Sequence, residues 1–206
     1  MHVDAALFSA LATLAPSPLA DTYARRVPLA ALLGMKGPVV PGVALQIVSP
    51  TFLLTPTKAY RYNPPNIAAL YLGEGEDVAA AEVKQHAGLA GFARKASPPD
   101  TVFHVEVNLR AVLDVTITSV QSTLGTNPDE LIAPWRLKSP AAPTQLLGAA
   151  AAASDRFEAI RYPCAPLHRA GQAGVSLVVF RDKLQPGSKV RIHDPSGTWQ
   201  ESWPAT

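Results

Sequence analysis

Short apolar runs, cut apart by proline and glycine, dominate the chain from about position 45 onward. They restrict it to a fold built largely on strands. Runs at 45–48, 51–54, 67–72, 102–109, 112–117, 157–162, 175–180 and 189–193 each read as a strand. Between them Asn63-Pro64-Pro65-Asn66 is a turn, because two consecutive prolines exclude a regular helix or a central strand. Helical signals are scattered. Asp77 opens a helix that Gly88 follows, an acid at the dipole's positive end and a glycine past the last turn. A second helix covers 143–153, with Pro143 in its first turn. Strands in both halves with dispersed helices predict an α+β fold rather than a doubly wound sheet.

The first 45 residues read differently. A helix near 4–14, capped near Asp4, stops at Pro16 and Pro18, and a weaker helix near 19–33 stops at Gly34. Residues 1–45 are therefore expected to be an N-terminal helical extension, and 46–206 the main domain. The apolar start lacks the leading positive charge of a signal peptide. The tail from Asp194 reads as loop.

Composition excludes several function classes. The net charge is +2 with no block of like charges, which argues against a nucleic-acid surface. No apolar run is long enough to cross a bilayer. The single cysteine, Cys164, cannot form an intrachain disulfide and fits a reducing, cytoplasmic compartment. The five histidines lie far apart in sequence, so no metal site is expected. Gly73-Glu74-Gly75 lacks the third glycine of a dinucleotide fingerprint and carries acids where a pyrophosphate would sit. Gly174-Val175-Ser176 lacks the second glycine of a nucleophile elbow.

Two features resist a purely structural explanation. On the helix after Asp77, Val78, Ala79, Glu82, Val83 and His86 share one face, so Glu82 is a carboxylate on an otherwise apolar, inward stripe. A buried carboxylate costs several kcal/mol unless it is paired or opens into a cleft. Tyr60-Arg61-Tyr62-Asn63-Pro64-Pro65 sets a guanidinium between two tyrosines ahead of a rigid turn, an arrangement suited to an anion. Tyr71, in the strand before the Glu82 helix, can offer a ring face to a flat heterocycle.

These blocks resemble a known family. Arg61-Tyr62-Asn63-Pro64-Pro65, Leu70-Tyr71-Leu72 and Ala80-Ala81-Glu82-Val83 are similar to the first half of the RES domain. Pro134-Trp135-Arg136, Pro143-Thr144-Gln145, Ala159-Ile160-Arg161-Tyr162-Pro163-Cys164 and the run from Ser176 to Phe180 resemble its later blocks, in order, over about 46–184. The resemblance implies an ADP-ribosyltransferase-like mixed sheet core with surrounding helices. It implies a toxin that degrades NAD+, by hydrolysis or phosphorolysis, with NAD+ as substrate and no cofactor. It also implies a helix-turn-helix antitoxin partner of the Xre type.

By position, Arg61, Tyr71, Glu82 and Cys164 are the implied catalytic residues, and Arg61, Tyr62, Asn63, Tyr71 and Cys164 the implied substrate contacts. Cys164 stands where the family usually has serine, and Phe52, Leu53 and Leu54 stand where an arginine often opens the domain. Two further readings share the cleft: a catalytically weakened nucleotide- or partner-binding module, and a protein ADP-ribosyltransferase. Residues 1–45 have no assigned role, with packing, self-association and antitoxin contact all open.

Overall fold

The computed structural model describes residues 5–28, 58–89, 100–136, 142–193 and 200–204, and only the backbone of 85–89. The expected boundary at 45/46, the strands expected at 45–48 and 51–54, and residues 52–54 lie outside these. So do the Asp4 cap and the side chain of His86.

Seven strands form one mixed sheet in the order β1-β2-β5-β4-β3-β6-β7. They are β1 (Ser17–Pro28), β2 (Ala69–Gly73), β3 (Asp100–Asp114), β4 (Ala159–Pro163), β5 (Val175–Phe180), β6 (Lys189–His193) and β7 (Gln200–Trp203). Only β3 and β4 run parallel. β1 pairs along its length with β3 and touches β2 through Ala24 and Gly73, so β1, β2, β5, β4 and β3 close a ring. The helices are α1 (Ala5–Thr13), α2 (Glu76–Leu89), α3 (Thr118–Leu124), α4 (Pro128–Ile132), α5 (Pro143–Ala153) and α6 (Ala165–Arg169). The fold is the expected mixed α+β class.

Alternation along the strands separates two cores. Leu70, Leu72, Val105, Val107, Leu109, Leu177 and Val179 gather on the face the strands enclose. On the other face Ala69, Ile160, Tyr162, Val178 and Phe180 pack under Leu11 of α1 and Leu147 and Ala150–Ala152 of α5. Each fully buried Leu, Val or Phe contributes about 1.5–3 kcal/mol, so both faces of β2, β4 and β5 are strongly specified.

Three elements differ from expectation. The segment expected to be helical near 19–33 is strand β1 over Ser17–Pro28. Its Ala, Leu and Arg content favours helix, but the long ladder with β3 overrides that propensity. The strands expected at 102–109 and 112–117 join in one continuous strand, β3, which ends at Asp114, with 115–117 in a turn. The buried Glu158 carboxylate accepts the Arg110 and Ala111 backbone N–H groups and holds the junction extended. The tail forms β7, which pairs with β6.

Candidate functional site

The turn at 58–67 is built around one amide. Asn63 is fully buried. Its Nδ2 donates to the carbonyls of Lys58 (2.8 Å), Pro64 (3.3 Å) and Ile67 (3.1 Å). Its Oδ1 accepts the Tyr71 hydroxyl at 2.7 Å, and that hydroxyl accepts the Tyr62 backbone N–H at 2.9 Å. The polar atoms of Asn63 and the phenol of Tyr71 are thus spent on the scaffold, while the Tyr71 ring stays partly exposed. Helix α5 supports the turn from below. Gln145 Nε2 donates to the Tyr60 carbonyl at 3.0 Å. Gly148 lets the helix touch Tyr62, since a Cβ there would lie 1.7 Å from the Tyr62 carbonyl oxygen.

Arg61 and Tyr62 point inward from this turn. Arg61 is 6% exposed, and its Nη1 donates to the carbonyls of Leu131 (3.0 Å) and Ala133 (2.8 Å) at the C-terminal end of α4. A guanidinium there also suits the negative end of the helix. Arg169, at the end of α6, donates to the carbonyl between them, that of Ile132. Tyr62 is fully buried with its ring 4.4 Å from that of Tyr162.

Glu82 arrives from the other side on α2. The helix packs tightly on the end of β2 because Gly73 has no side chain: a Cβ there would lie 2.6 Å from the Ala79 nitrogen. Val78 and Ala79 are buried and Glu82 is part-buried on the same face, as the helical spacing predicts. The Ser176 hydroxyl of β5 donates to Glu82 Oε1 at 3.4 Å. Burial pushes the Glu82 carboxyl above its ordinary value, and the Arg61 charge, the Cys164 thiol, the Ser176 hydroxyl and the Arg169 charge oppose that rise. Arg61 and Glu82 therefore act on each other in one cluster.

The thiol and the phenols around this carboxylate are protonated and neutral at physiological pH. Cys164, fully buried ahead of α6, has its thiol pushed up to about 11 by burial. Burial also raises the phenols of Tyr62, Tyr71 and Tyr162. One acid thus stands among neutral hydroxyls, a thiol and guanidinium groups. Among the described residues no group of three or more His, Cys, Asp or Glu is placed to hold a metal ion. No helix among them is long and apolar enough to cross a membrane.

Two members of the cluster are not among the expected site residues. Arg25, on β1, donates from Nη1 to the Tyr71 carbonyl at 3.0 Å, while its Nε is buried without a hydrogen-bond partner. Burial lowers the Arg25 pKa, and Tyr60, Tyr162, Tyr71 and Glu82 act against that. No carboxylate among the described residues forms an ion pair with it. Its position in the site follows only from the β1–β3 and β1–β2 pairing. Ser176 could have been noticed as the one hydroxyl in an apolar strand facing inward, and it lies where the thiol of Cys164 meets Glu82.

The fold is a mixed α+β sheet that sets the part-buried Glu82 carboxylate among arginines and tyrosines. The sequence model of the RES domain matches residues 50–204, and the chain belongs to that family. Among solved structures it is similar to a chain of the M. tuberculosis MbcT–MbcA toxin–antitoxin complex. That likeness has 19% identity and a TM-score of 0.58, and covers 90% of this chain and 88% of the other. No curated protein matches the sequence.

Proposed function

We propose that this protein is a toxin that destroys NAD+ by cleaving the bond between nicotinamide and ribose. The observation that carries the reading is the Glu82 carboxylate, part-buried, accepting from the Ser176 hydroxyl and held under the charge of Arg61. Cleaving an ordinary glycoside needs two carboxyl groups, one of them to protonate the leaving oxygen. Nicotinamide leaves NAD+ as a neutral molecule, so a single carboxylate suffices. Glu82 stabilises the positive charge that develops on the ribose, or holds its 2′-hydroxyl. At an effective dielectric near 20, a carboxylate about 4 Å from that charge contributes on the order of 4 kcal/mol. That is roughly three powers of ten in rate. The pyrophosphate is the natural counter-charge for the unpaired Arg25 and for Arg61, and the open edge of Tyr71 faces a ring. Water or phosphate accepts the ADP-ribose.

The partner in this reading is a helix-turn-helix antitoxin of the Xre type that covers the site. Its support is the likeness to a chain solved as part of a toxin–antitoxin complex. A cytoplasmic setting belongs to the same proposal, in keeping with a single cysteine. A second reading is favoured by one observation: Cys164 keeps its proton and is a poorer hydrogen-bond donor than serine. A chain weakened in this way would bind the dinucleotide tightly without turning it over, which calorimetry separates from catalysis.

The decisive experiment incubates purified protein with NAD+, with and without phosphate, and measures free nicotinamide. Glu82→Gln should lose roughly three powers of ten in rate. It should melt no lower than the wild type. The folded pKa of Glu82 is raised, so its charge opposes folding at neutral pH and that cost fades as the pH falls through the raised value. Comparable nicotinamide release by the variant would overturn the assignment.

A further inference from the structure

The aromatic residues do not stop at the catalytic cluster. The Tyr71 ring lies 5.7 Å from that of Tyr60, tilted by 52°, and the Tyr60 ring lies 6.3 Å from that of Trp135, tilted by 49°. Beyond them the Arg136 guanidinium sits 5.1 Å from the centre of the Trp135 ring. The three rings of the row, Tyr71, Tyr60 and Trp135, are part-buried, and Arg136 at its end is exposed. An aromatic group that served packing alone would bury its outermost ring. Here the largest ring is the outer one and keeps surface free.

The row is also held in place by the site's own cations. Arg61 and Arg169 fix the three carbonyls of residues 131–133, immediately before Pro134-Trp135. Gln145 fixes the Tyr60 backbone. The platform, Arg61 and Arg169 therefore share one frame.

We propose that Trp135 and Tyr60 form a stacking subsite for the planar base at the far end of the dinucleotide, beside the Arg136 guanidinium. The inference rests on the NAD+ reading for the ligand's identity and extends it to a specificity element. Stacking of a base on an aromatic ring is sequence-tolerant and sizeable, and a neighbouring guanidinium adds to it. The subsite selects a dinucleotide over a mononucleotide, because nicotinamide mononucleotide keeps the scissile bond but has no second base.

The test compares wild type, Trp135→Ala and Trp135→Phe on NAD+ and on nicotinamide mononucleotide. It also measures ADP-ribose binding by calorimetry, which needs no turnover. In Trp135→Ala the ratio of kcat/KM for NAD+ to that for the mononucleotide should fall roughly 10- to 100-fold, mainly through KM. ADP-ribose affinity should fall by a similar factor, and Trp135→Phe should recover most of both. An unchanged ratio together with unchanged ADP-ribose affinity in Trp135→Ala overturns the subsite while leaving NAD+ cleavage intact. If the wild type cleaves neither nucleotide but still binds ADP-ribose through Trp135, the subsite stands and the cleavage reading falls.

Discussion

Arg61 is both a structural clamp and an electrostatic partner, and Arg61→Gln separates the two roles. Its Nη1 makes two hydrogen bonds to buried carbonyls, at 3.0 and 2.8 Å. Hydrogen bonds from a charged donor contribute about 1.5–3 kcal/mol each. A glutamine amide is shorter and can satisfy at most one of the carbonyls, so the fold should lose about 2–3 kcal/mol. For a chain of this size that is a fall of about 4–12 °C in Tm. The electrostatic effect has its own signature. Among the influences that hold the Glu82 carboxyl down against burial, the Arg61 charge is the largest. Glu82 acts as the ionised form, so activity is lost as pH falls through its pKa, and that limb already lies above the ordinary glutamate value of 4.5. Removing Arg61 should move the acid limb of kcat/KM to higher pH, since that profile reports the free enzyme. Arg61→Lys keeps the charge but not the fork, so it should melt low while its acid limb stays near the wild type. A variant that melts lower yet keeps the wild-type acid limb would show that Arg61 does nothing for Glu82 beyond holding the wall.

Two further substitutions test the scaffold. Glu158 is fully buried. Its Oε1 accepts from the Arg110 and Ala111 backbones and the Ser188 hydroxyl, and its Oε2 from the Gln185 backbone. Glu158→Ala strands the Ala111 and Gln185 backbone N–H groups, leaving Arg110 with the Ser188 hydroxyl, and should cost about 3–5 kcal/mol in urea unfolding, whereas a loss under about 1 kcal/mol would mean that water replaces the carboxylate. Gly148→Ala forces a methyl group against the Tyr62 carbonyl and should displace the turn that carries Arg61, even though alanine favours the helix by about 1 kcal/mol. Nicotinamide release should fall at least roughly 10-fold, as expected for a sub-ångström to ångström misplacement of a positioned group. Wild-type turnover would mean that the turn is not a positioning element.

Features of the site that depend on neighbours close in the chain were legible from the residues alone. The inward face of α2, the rigidity of Asn63-Pro64-Pro65 and the strand carrying Tyr71 all follow from spacings of a few residues. The way Arg61 is used was not legible. A guanidinium between tyrosines suggests an anion, yet one of its nitrogens is committed to carbonyls some 70 positions away, at Leu131 and Ala133. Asn63 resembles a ligand contact in sequence, but its amide is consumed within its own turn. The β1 segment was hardest to read, because strand pairing with β3 outweighs a composition that suits a helix.

That strand matters for the chemistry as well as the fold. β1 precedes the span matched by the RES domain, but it is hydrogen-bonded into the same sheet and delivers Arg25 to the backbone of Tyr71. A part-buried guanidinium here, with no ion-pairing carboxylate among the described residues, is costly to desolvate. Among the described residues, one carbonyl and the influence of Tyr60, Tyr162, Tyr71 and Glu82 act against that cost. In the proposed reading, an anionic ligand offsets that cost, and Arg25 strengthens binding of the pyrophosphate. On the same reading the anion would be met by strand β1 and the turn at 58–67, and the developing positive charge by helix α2.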